Sequence, residues 1–65
     1  MNETQVYKGE KHEVEIYALG EKGDGLAKIN GNFIVIVPGT EVGQKCTIRL
    51  TNVLRRYAFG EVIEE

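Results

Sequence analysis

Short runs in which apolar and polar residues alternate, separated by glycine-containing turns, constrain the fold of this chain more than any other feature. In residues 12–18, for example, apolar side chains occupy every second position, as in a strand with one buried face. No stretch shows a long apolar repeat at helical spacing. The pattern predicts five strands, at residues 12–18, 26–29, 33–37, 44–53 and 57–63.

Three turn signals connect these strands. Asn30 and Gly31 predict a two-residue hairpin turn, because both central residues of a type I′ turn take positive φ. Pro38 and Gly39 suit a type II turn, which ends the third strand. Three glycines in residues 20–25 predict a flexible turn before the second strand.

A chain of 65 residues forms one small domain with a limited core. Short antiparallel strands with no helix to cover them hide their edges best by curling into a barrel. We therefore predict an all-β fold, a small five-stranded antiparallel β-barrel over residues 12–65, preceded by a flexible arm over residues 1–11. The strand at residues 33–37 is apolar on both faces, so it is either fully covered or keeps one face for a ligand.

The residue types argue against catalysis. The sequence has one histidine, His12, one cysteine, Cys46, and no serine, so a nucleophile with a positioned base cannot be assembled. The glycine spacing in residues 20–25 resembles the start of a P-loop, but Leu26 and Ala27 stand where Lys and Ser or Thr are required. We expect no enzymatic activity, no cofactor and no metal.

The sequence also lacks membrane and export signals. The longest apolar run, at residues 33–37, is five residues long, whereas a membrane-spanning helix needs about 20. The start of the chain is polar and acidic, unlike a secretion signal. We expect a cytoplasmic protein without membrane contact.

Charge is distributed unevenly. The net charge of the chain is −2, yet residues 20–60 carry six basic side chains against three acidic ones, a net charge of +3. Aromatic residues are interleaved with these cations. Single-stranded nucleic acids offer phosphates to cations and base faces to aromatic rings. The candidate RNA-binding residues are Lys22, Lys28, Phe33, Arg49, Arg55, Arg56, Tyr57 and Phe59.

Each candidate also has a structural interpretation. Phe33 and Phe59 can fill the core of a barrel that is short of large residues. Arg55 and Arg56 can keep a hairpin tip soluble, and Arg49 can belong to an ordinary solvated strand face. The residue pattern alone leaves both interpretations open.

Three segments resemble the TRAM domain, an OB-like small β-barrel. They are GDGLAKI at residues 23–29, NGNFIVIVPG at residues 30–39, and YAFGEVI at residues 57–63, and the resemblance covers roughly residues 12–63. TRAM domains are appended to tRNA-modifying methyltransferases and methylthiotransferases, which implies a role in delivering RNA. Stand-alone versions resemble small archaeal RNA-binding proteins thought to act as cold-shock-like RNA chaperones.

Matched by position, the family pattern makes Lys28 a phosphate contact and Phe33 an aromatic contact on its strand. Arg55, Arg56 and Tyr57 match the basic and aromatic approach to the last strand. With the basic segment and its aromatic residues, the resemblance predicts an ATP-independent RNA chaperone for single-stranded or loop RNA, such as tRNA or rRNA, with low sequence specificity. We expect a monomer. The alternative is a protein-interaction module, whose apolar third strand and acidic ends dock on a ribosomal or RNA-modifying partner.

Overall fold

The structure, a computed structural model, describes residues 6–31 and 33–63, and strands are its only regular elements there. The all-β class predicted from the sequence is confirmed. Nothing in this part of the chain is a helix long and apolar enough to span a membrane. The strands are β1 (Lys11–Glu15), β2 (Ala18–Leu19), β3 (Gly25–Ile29), β4 (Phe33–Val37), β5 (Lys45–Val53) and β6 (Tyr57–Ile63).

The strand predicted at residues 12–18 is divided into β1 and β2, and this division closes the barrel. The sheet order is β1-β5-β6-β4-β3-β2, so the two edge strands are consecutive in the chain. Ile16 N donates to Gln44 O at 2.9 Å, and Tyr17 N donates to Leu26 O at 2.9 Å. The chain therefore changes partner between residues 16 and 17, and one continuous stretch pairs with both ends of the sheet.

The pairing of β4 with β6 is parallel, which corrects the prediction of a fully antiparallel barrel. Ile34 lies opposite Tyr57, and Ile36 lies opposite Phe59. The parallel direction follows from the connections. The loop after β4 carries the chain to β5, which runs back along the barrel, and the next turn reverses it again into β6.

The hairpin between β3 and β4 has one more loop residue than the predicted two-residue turn. Asn30 and Gly31 both have positive φ, as predicted, at 48° and 93°. Ile29, however, pairs with Phe33, so three residues separate the paired positions.

The barrel interior is filled by aliphatic side chains, and no aromatic residue belongs to the fully buried set of the described chain. Val6, within the predicted arm of residues 1–11, is part of this core. Gly9 N donates to Leu50 O at 2.7 Å, so residues 6–11 pack on the barrel, whereas residues 1–5 lie outside the described part. The core consists of Val6, Val14, Ile16, Ala27, Ile29, Val35, Val37, Ile48, Leu50 and Ala58.

A bulge interrupts β5. Its pairing with β6 shifts register between Leu50 and Asn52, so the regular alternation predicted for residues 44–53 ends at Leu50. Val53 packs against the core although it follows Leu50 by three positions rather than two. The extra residue places Asn52 opposite Phe59.

Gly25, the first residue of β3, is required by the close approach of the loop that follows β4. A Cβ atom at this buried position would overlap the Thr40 side chain. Thr40 is itself buried, and its hydroxyl donates to Val37 O at 2.8 Å. The loop after β4 thus lies directly against the start of β3, and it fixes that end of the barrel.

This contact predicts that Gly25→Ala lowers the free energy of unfolding by about 1–3 kcal/mol, because the added methyl group displaces Thr40. Gly20→Ala is the matched control, since a Cβ there meets its nearest neighbours at 3.7 and 3.8 Å, which is ordinary contact. Urea denaturation of both variants measures the difference. Equal, small losses for the two variants would contradict the role of Gly25.

Candidate nucleic-acid interface

The outer surface of β3, β4 and β6 carries apolar and aromatic side chains beside a lysine. In β3 and β4, alternate residues such as Ala27 and Val35 are buried in the core, so their neighbours point outward. The strand pairing arranges the outward residues in two cross-strand rows. We call this surface the aromatic face; one row is Lys28, Ile34 and Tyr57, and the other is Leu26, Ile36 and Phe59.

Tyr57 and Phe59 form an edge-to-face pair on this face. Their ring centroids are 5.6 Å apart, with an interplanar angle of 72°. Such a pair fixes the rings without stacking them on each other. Tyr57 is 39% exposed, so its ring remains accessible to a planar ligand.

Lys28 lies at the opposite side of the aromatic face from Tyr57, with Ile34 between them. Its Nζ is 5.0 Å from the centroid of the Tyr17 ring, which is a cation–π contact. Tyr17, between β1 and β2, is 44% exposed. Sequence reasoning did not include Tyr17 among the candidates, although the alternation of residues 12–18 places it on the polar face of that strand.

Arg55 and Arg56 occupy the exposed turn between β5 and β6. Leu54 N donates to Tyr57 O at 2.8 Å and closes this turn directly before the aromatic pair. Because Tyr57 lies opposite Ile34, the turn lies at the same end of the barrel as the loop between β3 and β4. Two cations therefore adjoin the end of the aromatic face that carries Tyr57.

The remaining predicted residues lie elsewhere. Lys22 is in the exposed turn before β3, at the opposite end of that strand from the loop between β3 and β4. Arg49 is on the outer surface of β5, where Lys11 and Glu61 are its cross-strand neighbours. Phe33 is half-buried and packs against the core. The structure thus brings Lys28, Arg55, Arg56, Tyr57 and Phe59 to the aromatic face or its edge, but not Lys22, Phe33 or Arg49.

The residues examined for catalysis take other positions. His12 Nε2 lies 3.0 Å from Glu10 Oε1, and Cys46 packs against the core. Within residues 6–31 and 33–63, no group of three or more His, Cys, Asp or Glu side chains is placed to hold a metal ion.

Comparison with known proteins identifies the family. Residues 5–63 match the TRAM domain, so this chain belongs to the TRAM domain family, and the resemblance seen in the sequence is confirmed. A conserved protein of Methanococcus maripaludis, whose solution structure is known, superposes with a TM-score of 0.82 at 37% identity. This match covers 91% of this chain and 83% of that one.

Relatives differ in how much of their length this chain covers. An uncharacterised protein of Methanocaldococcus jannaschii is 40% identical over 58 residues, which is 89% of this chain and 74% of that protein. The ribosomal RNA large subunit methyltransferase E of Methanocella arvoryzae is 39% identical over 62 residues, 95% of this chain but 24% of the enzyme. The chain therefore spans about a quarter of that methyltransferase, and the rest of the enzyme lies outside the aligned part.

The different environments of two aromatic residues predict different effects of truncation. Phe33→Ala should lower the free energy of unfolding by about 2 kcal/mol, because it removes a half-buried ring from the core. Tyr57→Ala should cost less, about 1 kcal/mol, because this ring lies on the outer surface and loses mainly its edge-to-face contact with Phe59. Thermal denaturation of both variants compares them, and an unchanged stability of Phe33→Ala would show that its ring does not support the core.

Proposed function

We propose that this protein binds single-stranded or loop-containing RNA across the aromatic face, with little sequence preference. The observation that carries the proposal is the row of Lys28, Ile34 and Tyr57, in which a cation and an exposed ring flank an apolar strand. Single-stranded RNA is recognised by this combination, since phosphates attract the cation and bases stack on the ring. Arg55 and Arg56 supply further phosphate contacts beside Tyr57.

The barrel topology supports the same surface. OB-type barrels bind oligonucleotides on their second and third strands and on the loops after the first and fourth strands. If β1 and β2 are counted as one bent strand, β3 and β4 are the second and third strands here. The corresponding loops hold Lys22 at one end and Arg55 with Arg56 at the other. A bound strand would cross the aromatic face between these cations.

The composition of the aromatic face favours stacking on bases over hydrogen bonding to their edges. The side chains of the face are aliphatic or aromatic apart from Lys28. The amide group of Asn52, which lies opposite Phe59 in β5, is adjacent to the face. Stacking tolerates every base, because each base has a π face. Low sequence specificity follows, which suits a protein that serves many RNAs.

The relatives support RNA as the partner. One is by name a ribosomal RNA methyltransferase, and another is the translation initiation factor 2 subunit beta of Methanocorpusculum labreanum, 38% identical over 58 residues. By binding open strands and not duplexes, the protein would shift RNA pairing equilibria by mass action without ATP. We therefore propose a cytoplasmic, monomeric RNA chaperone that binds tRNA, rRNA or other RNA and catalyses no reaction.

Salt dependence tests the electrostatic part of this proposal. If three or four phosphates are neutralised, the logarithm of affinity should fall with the logarithm of salt concentration at a slope of about −2 to −3. Fluorescence anisotropy with a labelled oligouridylate of about ten nucleotides measures the slope. Binding that does not depend on salt would contradict phosphate contact, and no binding at low salt would favour the protein-docking alternative.

Charge-removing variants locate these contacts. Replacing both Arg55 and Arg56 by Gln should make the slope shallower by about 1.4, since each phosphate on a single strand contributes about 0.7. The matched control replaces Lys8 and Lys45, which are exposed outside the aromatic face, by Gln. A larger change of slope in the control than in the arginine variant would place the contacts elsewhere.

A further inference from the structure

We infer that Tyr17 is a second base-stacking platform, at the β3 side of the aromatic face, and that Lys28 covers it in the free protein. The inference rests on the proposed RNA binding and adds to it a binding residue and a requirement on the ligand. It is carried by the contact between Lys28 Nζ and the Tyr17 ring, at 5.0 Å from the ring centroid.

Tyr17 is held at a fixed point of the barrel. The preceding residue, Ile16, is almost completely buried, and its backbone accepts from Gly43 N at 2.8 Å and donates to Gln44 O. Tyr17 N donates to Leu26 O in β3. The backbone is thus bonded to the turn before β5 on one side and to β3 on the other, while the ring, 44% exposed, lies beside Lys28. An exposed ring on a backbone that is held by hydrogen bonds loses little conformational freedom when a base stacks on it.

Lys28 has one partner in the free protein and another in the complex. An exposed cation–π contact is weak, whereas a base stacked on an aromatic ring is held more strongly. A base can therefore displace the ammonium group from the Tyr17 ring. The flexible lysine stem then lets the charge reach a phosphate of the same strand. Lys28 would exchange a contact with the ring for a contact with the RNA backbone.

The separation of the two platforms limits the ligand. Tyr17 precedes β2, and β3 and β4 lie between β2 and β6, so Tyr17 and Tyr57 are about three strand spacings, or 14 Å, apart. Stacked neighbouring bases are about 3.4 Å apart along a strand. Because 14 Å is about four times a single stacked step, the two rings bind bases that are not adjacent, and the ligand is an RNA segment with several consecutive unpaired nucleotides.

The test compares three tyrosine variants in titrations with an oligouridylate of about ten nucleotides. Tyr17→Leu, which keeps an apolar side chain but removes the ring, should weaken binding about fivefold or more. Tyr17→Phe keeps the ring and should bind like the unmodified protein. Tyr7→Leu is the control, because Tyr7 is also exposed but the residues that follow it bond to β5 rather than to β3.

Proton NMR of the Lys28 side chain gives a second readout that a purely structural role of Tyr17 would not produce. The ε-methylene protons of Lys28, shielded by the Tyr17 ring in the free protein, should move downfield when the oligouridylate is added. The same shielding should be absent from free Tyr17→Leu and present in free Tyr17→Phe.

Two results would overturn the inference in distinguishable ways. If the oligouridylate binds and shifts the Tyr57 ring protons, but Tyr17→Leu binds equally well and Lys28 is unmoved, Tyr17 is not a platform and the proposed function stands. If the unmodified protein does not bind at low salt, the proposed function itself fails, and the inference fails with it.

Discussion

One stretch of chain, residues 11–19, holds the barrel closed by pairing with β5 through its first half and with β3 through its second half. The change of partner falls at Ile16 and Tyr17, whose backbone groups bond to opposite neighbours. Both edge strands of the sheet, β1 and β2, therefore belong to this one stretch, which joins the two edges covalently. The same change of direction buries Ile16 and turns Tyr17 outward.

The small interior explains why rings lie on the surface. The core is filled by Val, Ile, Leu and Ala side chains, and Gly60 faces Ile48 and Val35 so closely that a Cβ there would lie only 3.0 and 3.2 Å from them. Such an interior has no room for several aromatic residues. Tyr17, Tyr57 and part of Phe59 remain accessible, beside Ile34 and Ile36. Exposed aromatic and aliphatic side chains of this kind are typical of an interaction surface, and the neighbouring cations support the anionic partner proposed above.

The sequence pattern predicted those features of the fold that depend on a few neighbouring residues. Alternation located the strands, and Asn30 and Gly31 located a hairpin, because side-chain direction and positive φ are properties of a few neighbouring residues. The parallel pairing of β4 with β6 and the division of the first strand were not predicted, because pairing depends on contacts between distant segments. The bulge in β5 left one signal in the sequence, the three-residue spacing from Leu50 to Val53.

The residues of the candidate site could be predicted wherever the sequence pattern showed which face of its strand a residue occupies. Lys28, Tyr57 and Phe59 lie on one surface, since their strands pair in register. Phe33 is on the opposite side of β4 from Ile34 and packs against the core, a choice that its doubly apolar strand left open. Arg49 lies in β5 opposite Glu61, which sequence pattern alone does not show. Tyr17 was not predicted as a site residue, because Glu13 and Glu15, which share its strand face in the sequence pattern, are acidic.

Mapping amide chemical-shift changes while an unlabelled oligouridylate is added to the protein tests the central claim most directly. We expect the changes to cluster in β3, β4, the first half of β6 and the turn that holds Arg55 and Arg56. The outer surface of β1 and β5, represented by Glu13 and Thr47, should be unaffected. Shifts concentrated on β1 and β5, with the aromatic face unchanged, would contradict RNA binding by this face.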